Sequence, residues 1–260
     1  MSNVRAAIRS AGFIVVTVGL YSIYLLGRSL LFLVNANPTT WRTKMVRRWA
    51  KACGAIIQLD TKIEGTPPDP PFLLVSNHLS YVDILPFFVA MDCVFVAKSD
   101  VKSWPVLGRM AAGINIIFID RETKRDIPRV NRLIEKNINS HQGIVIFPEG
   151  TTTKGDQIKK FNSSLLEYAA SRNFPVSYSS ITYCTTDPDK PAHEWVCWWG
   201  DMTFVSHFFN MLKLSSIQAT VRFGEDKIQD KDRKQLAKSL HERVQQQFTP
   251  IVKENYDIYG

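Results

Sequence analysis

The chain has 260 residues, of which 45% are hydrophobic and 22% are charged. This length and composition exclude a disordered protein and predict one folded domain with a sizeable buried core and an appended segment. The formal net charge of +8 indicates an anionic partner; nucleic acid, an anionic membrane surface and phosphorylated small molecules all meet that requirement.

The first predicted element is an uncharged apolar segment at residues 11–27, "AGFIVVTVGLYSIYLLG". As a helix it would be about 26 Å long, slightly short of the roughly 30 Å hydrocarbon core of a bilayer. Continuation through Val34 gives enough length but places Arg28 in the headgroup region. We expect a membrane-embedded helix, with a buried core helix as the alternative. If the helix spans, Arg5 and Arg9 hold the N-terminus on the cytoplasmic side.

The second element is a basic segment at residues 39–59, "TTWRTKMVRRWAKACGAIIQL". Its cations alternate with tryptophans and aliphatic residues: Arg42, Lys44, Arg47, Arg48 and Lys51. A helix with this composition is typical of a segment that lies on an anionic membrane surface. Nucleic acid binding would use the same charges, but no recognised DNA or RNA motif accompanies them. A simply solvated basic helix remains an alternative.

The proline-rich stretch "GTPPDPP" at residues 65–71 predicts a loop leading into the main domain, because proline fits neither a helix interior nor a central strand. After it, short apolar runs predict strands at residues 72–76, 94–97, 114–119, 143–147, 176–183, 195–199 and 217–223.

Helical patterns alternate with these strands. Apolar residues recur at helical spacing from Ile127 to Ile138, behind Asp126 as an N-cap, and residues 232–248 read as a charged amphipathic helix. The alternation predicts an α/β domain with a mixed, largely buried β-sheet flanked by helices, preceded by N-terminal membrane-associated helices. We place the membrane-docking part at residues 1–60 and the catalytic domain at residues 61–260.

The four cysteines, Cys53, Cys93, Cys184 and Cys197, are widely spaced. They form no CxxC pair and lie near no histidine at metal-ligand spacing. We therefore expect reduced core residues, and neither a disulfide framework nor a zinc site.

The first polar cluster interrupts an apolar run at residues 73–88, "LLVSNHLSYVDILPFF". His78 and Asp83 are five positions apart, a spacing that separates them by roughly 140° on a helix and puts them on opposite faces of a strand. Only a turn brings them together, and Ser76, Asn77 and Ser80 favour one. In such a turn Asp83 accepts a hydrogen bond from one imidazole nitrogen and leaves the other free as a base. A capped helix with a satisfied polar residue is the alternative.

Two further clusters follow predicted strands. In "GINIIFIDRETKRD", residues 113–126, Arg121 follows a buried run, and its planar guanidinium suits phosphate. In "GIVIFPEGTTTKGD", residues 143–156, Glu149 and several hydroxyls follow a strand at the end where ligands of open α/β sheets collect. Solvated polar loops are the alternative for both.

Together the three clusters, His-x4-Asp, Gly-x5-Ile-Asp-Arg and Phe-Pro-Glu-Gly-Thr, resemble those of the glycerolipid acyltransferases, the 1-acylglycerol-3-phosphate acyltransferase-like enzymes. The resemblance extends from about Phe72 to Phe223. It includes "FPVSYSSITY", similar to the family's fourth motif, and "WWGDMTFVSHFF", similar to a segment of bacterial members.

The resemblance implies transfer of an acyl chain from acyl-CoA or acyl-carrier protein to the hydroxyl of lysophosphatidic acid, forming phosphatidic acid. It makes His78 the general base and Asp83 its orienting partner, with no covalent acyl-enzyme. It also implies a set of residues that bind the acceptor: Arg121, Glu149, Gly150, Thr151 and Lys154. No metal or cofactor is expected.

One position departs from the family's pattern, since many members have arginine where this chain has Thr152. Lys154, Lys159 or Lys160 would then supply the missing charge, or the acceptor is another lysophospholipid or an aminoacyl lysolipid. A non-catalytic membrane-binding protein is a further alternative. The expected location is the cytoplasmic face of a bacterial-type inner membrane, and the expected partners are membrane lipids and the acyl donor, without nucleic acid.

Overall fold

The computed structural model describes residues 2–103, 107–120 and 125–252. Its centre is a seven-stranded mixed sheet flanked by helices, as the sequence predicts. The strands are β1 Leu59–Glu64, β2 Leu73–Ser76, β3 Cys93–Lys98, β4 Ile117–Ile119, β5 Gly143–Ile146, β6 Val176–Thr185 and β7 Ile217–Phe223. Their order across the sheet is β1-β7-β6-β2-β5-β3-β4.

The direction of the strands determines where the polar clusters meet. Strand β2 lies parallel to both β5 and β6, and β3 lies parallel to β5 and β4. Only the pair β6–β7 is antiparallel, in the register Ile181↔Val221. The carboxyl ends of β2, β5 and β6 therefore lie at one edge of the sheet, where loops collect ligands in α/β folds.

Helices cover the sheet, and two of them precede its first strand in the chain. They are α1 Ser2–Leu33, α2 Thr39–Ile57, α3 Ile84–Ala90, α4 Leu107–Gly113, α5 Asp126–Asn137, α6 Glu167–Arg172, α7 Ala192–Trp195, α8 Phe204–Met211 and α9 Arg233–Gln247. Strands β2 and β5 are completely buried, so their continuous apolar sequences follow from helices on both faces.

One strand prediction was wrong and another was too long. Residues 195–199 are not a strand: α7 ends at Trp195, and the backbone N–H groups of Val196 and Cys197 still donate to the carbonyl of Ala192. The strand predicted at residues 114–119 is present only as the shorter β4. Conversely, β1 went unpredicted: it is a half-exposed strand at the edge of the sheet, so its sequence "LDTKIE" lacks a continuous apolar run.

The two predicted C-terminal-half helices are confirmed with small shifts at their ends. Asp232 caps α9, and its carboxylate accepts hydrogen bonds from the backbone N–H groups of Lys234 and Gln235. Asp126 is the first helical residue of α5 and not its N-cap; its carboxylate bonds to the backbone N–H of Asp120 and to Arg129.

Helix α1 is the one helix among the described residues long and apolar enough to cross a membrane, and 11% of its most apolar window is buried. It packs on the domain along one side. The guanidinium of Arg9 donates to the carbonyls of Leu212 and Leu214, and near the other end the Tyr24 hydroxyl donates to the carbonyl of Gly113. Its outer side exposes a row of large apolar residues, listed here from the N-terminus: Val4, Ile8, Ile14, Val15, Val18, Leu26, Leu30, Phe32 and Leu33.

The cations of α2 divide between two faces. Arg42 is buried and bonds to Gln142, and Arg47 pairs with Asp92 at 2.8 Å. The other three, Lys44, Arg48 and Lys51, are exposed at helical spacing along one stripe. This stripe is the part of α2 best placed to contact an anionic surface.

All four cysteines are free thiols. Cys53, Cys93 and Cys197 are buried, as predicted, whereas Cys184 is exposed and was wrongly assigned to the core. Its thiol donates to the side-chain oxygen of Gln218 on the neighbouring strand β7. Burial raises the pKa of the Cys53 thiol to about 12, which keeps that sulfur protonated and unreactive.

Candidate active site

The catalytic turn, residues 77–83, leaves the carboxyl end of β2 and closes in a 3₁₀ turn at Tyr81–Asp83 before α3 begins. This turn brings Nδ1 of His78 to 2.7 Å from Oδ2 of Asp83. The predicted turn geometry is confirmed. Because an ionised carboxylate only accepts, Nδ1 carries the hydrogen and Nε2 of the neutral ring has a free lone pair.

Asp83 accepts hydrogen bonds from three further donors besides His78. Its Oδ2 also accepts from the backbone N–H groups of Leu79 at 2.8 Å and Ser80 at 3.1 Å, while Oδ1 accepts from the Tyr183 hydroxyl at 2.8 Å. The Asp83 side chain is completely buried. Four donors around one buried carboxylate satisfy its oxygens and fix its orientation.

His78 lies at the border between this buried network and the surface. Its side chain is 19% exposed, whereas that of Asp83 is 0% exposed. The imidazole stacks on Phe147 at the end of β5, with ring centroids 4.0 Å apart and 6° between the planes. One side of the ring is thereby fixed by an aromatic neighbour, and a substrate must approach from the exposed side.

Glu149 joins the second polar cluster to the catalytic turn. Its Oε1 accepts from the backbone N–H of His78 at 2.7 Å, and its Oε2 accepts from the backbone N–H of Lys159 at 2.8 Å. Burial raises the pKa of Glu149 to about 7, opposed by these two hydrogen bonds. Both oxygens of this predicted acceptor-binding residue are therefore engaged with the protein backbone.

The other predicted acceptor-binding residues occupy the loop after Glu149. Gly150 turns the chain with a φ of +75°, and the exposed Thr151 hydroxyl bonds to the carbonyl of Thr152 at 3.4 Å. Lys154 forms an ion pair with Asp156 at 3.1 Å. Arg121 lies outside the described residues, so its predicted role stays a prediction.

The loop is also attached to the turn directly, since the backbone N–H of Thr153 donates to the carbonyl of His78 at 3.1 Å. Lys159 and Lys160, the other suggested cations, are exposed. The structure thus brings His78, Asp83, Glu149 and the loop together at one edge of the sheet.

Two buried residues hold the turn: the sequence indicated Asn77 only as a residue that favours a turn, and it gave no role to Tyr183. The Asn77 side chain accepts from the backbone N–H of Ile181 at 2.8 Å and donates to its carbonyl at 3.0 Å. Tyr183, two residues further along β6, donates to Asp83. Asn77 precedes His78 directly, and Tyr183 is the last residue of the fourth motif. Their positions next to or within the motifs were the sequence feature that could have indicated a role in the site.

The segment "WWGDMTFVSHFF" packs against the same turn. The Tyr81 hydroxyl lies 2.9 Å from Nδ1 of the buried His207 on α8, and the backbone N–H of Trp198 donates to the carbonyl of Leu79. Burial lowers the pKa of His207, which favours a neutral ring. Phe208 of α8 also meets Phe13 of α1, so one aromatic cluster connects the N-terminal helix to the catalytic turn.

Within the part of the chain that the structure describes, no group of three or more His, Cys, Asp or Glu could hold a metal ion. What the site presents chemically is a base whose tautomer is fixed by a buried carboxylate, open to a substrate proton on its exposed side.

Comparisons with known proteins find related sequences and a related fold. The family model described as "Acyltransferase" matches residues 59–181. Two proteins named lyso-ornithine lipid O-acyltransferase are similar to the chain. The protein from Rhizobium meliloti is 29% identical over 83% of this chain and 77% of its own length, and that from Brucella abortus is 30% identical over 67% and 70%.

A protein named 1-acyl-sn-glycerol-3-phosphate acyltransferase, from Neisseria gonorrhoeae, is 27% identical over 79% of this chain and 80% of its own length. The crystal structure of the 1-acyl-sn-glycerophosphate (LPA) acyltransferase PlsC from Thermotoga maritima has the same fold. Its TM-score is 0.66 at 18% identity, over 95% of this chain and 97% of that one.

Proposed function

The chain belongs to the acyltransferase family, and from this premise we propose that it transfers a fatty acyl chain from a thioester to the free hydroxyl of a lysolipid at a membrane surface. The protein is an acyltransferase. The observation that carries the proposal is the bond between Nδ1 of His78 and the buried Asp83, which leaves Nε2 as a base at a partly exposed position.

The reaction needs one proton transferred twice. Nε2 of His78 takes the proton of the acceptor hydroxyl as its oxygen attacks the thioester carbonyl carbon. When the tetrahedral intermediate collapses, the carbon–sulfur bond breaks and the departing thiolate takes that proton back from the imidazolium. Asp83 stays ionised throughout and stabilises the imidazolium between the two transfers. Acyl-CoA and acyl-carrier protein both supply the thioester that these reaction steps require.

For the acceptor we propose lyso-ornithine lipid, with lysophosphatidic acid as the second candidate. In residues 149–156 the one basic side chain is Lys154, and Asp156 already neutralises it. A phosphate monoester carries up to two negative charges, whereas an ornithine head group balances a carboxylate with an amine. The names of two of the relatives support the first candidate, and the name of the third, together with Arg121, supports the second.

We further propose that α1 and α2 attach the enzyme to the membrane without crossing it. Contacts with the domain hold α1 near both ends, through Arg9 and through Tyr24, and leave its outer apolar side exposed. A helix bound along one side fits a position in the plane of the interface. The stripe of Lys44, Arg48 and Lys51 then meets anionic head groups, on the cytoplasmic face that the sequence analysis assigns.

The test is an acylation panel with the purified full-length protein in lipid vesicles. Labelled acyl-CoA and acyl-carrier protein are each offered with lyso-ornithine lipid, lysophosphatidic acid and lysophosphatidylethanolamine. We expect transfer to lyso-ornithine lipid, and we expect His78→Ala to lower kcat by roughly a hundredfold to ten-thousandfold. His141→Ala, on an exposed loop, is the matched control. Equal rates for wild type and His78→Ala on every acceptor would exclude the proposal.

A further inference from the structure

We propose that Tyr183 is a positioning residue for the catalytic pair, acting through Asp83 to keep His78 in the tautomer that accepts the substrate proton. This inference rests on the proposed function, and it concerns a residue of β6 that lies outside the turn itself. The geometric basis is the 2.8 Å hydrogen bond from the Tyr183 hydroxyl to Oδ1 of Asp83.

The two oxygens of Asp83 have different surroundings. Oδ2 receives three donors from the catalytic turn, namely the imidazole of His78 and the backbone N–H groups of Leu79 and Ser80. Oδ1 accepts a hydrogen bond from the Tyr183 hydroxyl. Asp83 is completely buried, so an oxygen that lost its donor there would have no access to bulk water. Tyr183 therefore satisfies the carboxylate oxygen that the histidine does not bind.

Tyr183 is well placed to hold this position rigidly. Its side chain is buried in β6, and burial together with the neighbouring Asp83 raises the pKa of its hydroxyl well above the ordinary value. The hydroxyl consequently stays a donor throughout the pH range of the enzyme. Ile181 lies two residues before Tyr183 on β6, and the Asn77 side chain binds both of its backbone groups. The strand is therefore attached to the turn immediately beside Tyr183.

The chemical consequence follows from the charge on Asp83. The Tyr183 hydrogen bond draws negative charge toward Oδ1 and fixes the plane of the carboxylate. With the hydroxyl removed, only the three donors at Oδ2 hold the carboxylate, so its plane and the orientation of the histidine ring are fixed less tightly.

The test is Tyr183→Phe, which keeps the ring and removes only the hydroxyl. We expect kcat to fall about tenfold to hundredfold and the KM of the acceptor to change by less than about twofold. Tyr178→Phe is the matched control, since Tyr178 lies on the same strand and its hydroxyl bonds to Asp226 on the surface. That control should match wild type in both quantities.

A double-mutant cycle separates positioning from a general loss of structure. In an Asp83→Asn background, Tyr183→Phe should cause no further loss of kcat, because the residue acts through the carboxylate. Circular dichroism verifies that each variant is folded. Multiplicative losses in the cycle, or a folded Tyr183→Phe with wild-type kcat, would overturn the proposal.

A second measurement needs no turnover and so remains decisive if the proposed function fails. In ¹⁵N-histidine NMR spectra of wild type, we expect the ring nitrogens of His78 to report one tautomer, with hydrogen on Nδ1. The signal is assigned by its loss in His78→Ala. Tyr183→Phe should give a mixture of tautomers, and an unchanged spectrum would refute the positioning role.

Discussion

The backbone N–H of His78 donates a hydrogen bond of 2.7 Å to Oε1 of Glu149, which lies 71 positions further along the chain. The second carboxylate oxygen binds the backbone N–H of Lys159. Glu149 thus joins the catalytic turn to the loop that follows β5. Because both oxygens already accept backbone N–H groups, we expect Glu149 mainly to position the base and not to bind the acceptor's head group.

Replacement of Glu149 by glutamine tests this arrangement. Glutamine offers a single acceptor oxygen, so one of the two backbone N–H groups faces an amide N–H₂ and loses its partner. We expect kcat to fall about tenfold, corresponding to about 1.4 kcal/mol, with the KM of the acceptor nearly unchanged. Glu135→Gln, which removes a surface ion pair with Arg172, is the control. A raised KM with wild-type kcat would instead support the role in head-group binding that the sequence predicts.

The same carboxyl predicts how stability depends on pH. Burial raises the pKa of Glu149 from 4.5 to about 7, so the folded protein holds this proton more tightly than the unfolded chain. The stabilisation is complete below pH 4.5 and is lost as the pH rises through about 7. At about 1.4 kcal/mol per unit the loss is at most about 3.5 kcal/mol.

Urea denaturation of wild type and Glu149→Gln across this range measures the effect. The glutamine variant has no proton to release, so the stability of wild type relative to the variant should decrease from pH 4.5 to about 7. A constant difference, or one that increases with pH, would contradict the assignment of the raised pKa to Glu149.

The sequence predicts the fold class and the contact between His78 and Asp83 well, because both depend on local patterns. Continuous apolar runs identify the central strands, and the five-residue spacing of His78 and Asp83 requires a turn whatever the rest of the fold. The partners of these residues are non-local. Tyr183 reaches Asp83 only because β6 lies beside β2, and strand order cannot be read from residue spacing.

The features that the sequence does not predict have a common cause. The backbone partners of Glu149 are among them, because a carboxylate in a loop looks free until the fold is known. Residues 195–199 have the aromatic composition of a strand, yet the backbone N–H groups of Val196 and Cys197 donate to the carbonyl of Ala192 in α7. In each case a hydrogen bond that the sequence does not encode decides the conformation.

Asn77→Ala should destabilise the protein markedly. Asn77 is 1% exposed and satisfies both backbone groups of Ile181, so alanine leaves a buried donor and a buried acceptor without partners. Each such group costs about 1–3 kcal/mol, and we expect a loss of about 2–4 kcal/mol in the free energy of unfolding. Chemical denaturation provides the measurement, with Asn3→Ala on the exposed start of α1 as control. A loss below about 1 kcal/mol would show that the bonds to Ile181 contribute little.

The exposed stripe on α2 predicts how the protein binds anionic membranes. Neutralising Lys44, Arg48 and Lys51 together to glutamine removes three charges from one face of the helix and leaves the buried Arg42 in place. At about 1 kcal/mol per cation near an anionic surface, the loss is about 3 kcal/mol, or roughly a hundredfold in affinity. Substitution is preferable to deletion, because Cys53 and Ile57 of α2 belong to the hydrophobic core.

Sedimentation with vesicles of mixed neutral and anionic lipid measures the affinity. The control neutralises Lys227, Lys231 and Lys234, three exposed lysines near the start of α9, and so changes net charge equally. We expect the α2 variant alone to lose affinity and to lose the salt dependence of binding, since screening weakens only contacts between charges. Residual binding through the apolar side of α1 should persist on neutral vesicles. Equal losses in both variants would show that binding follows net charge and not the stripe.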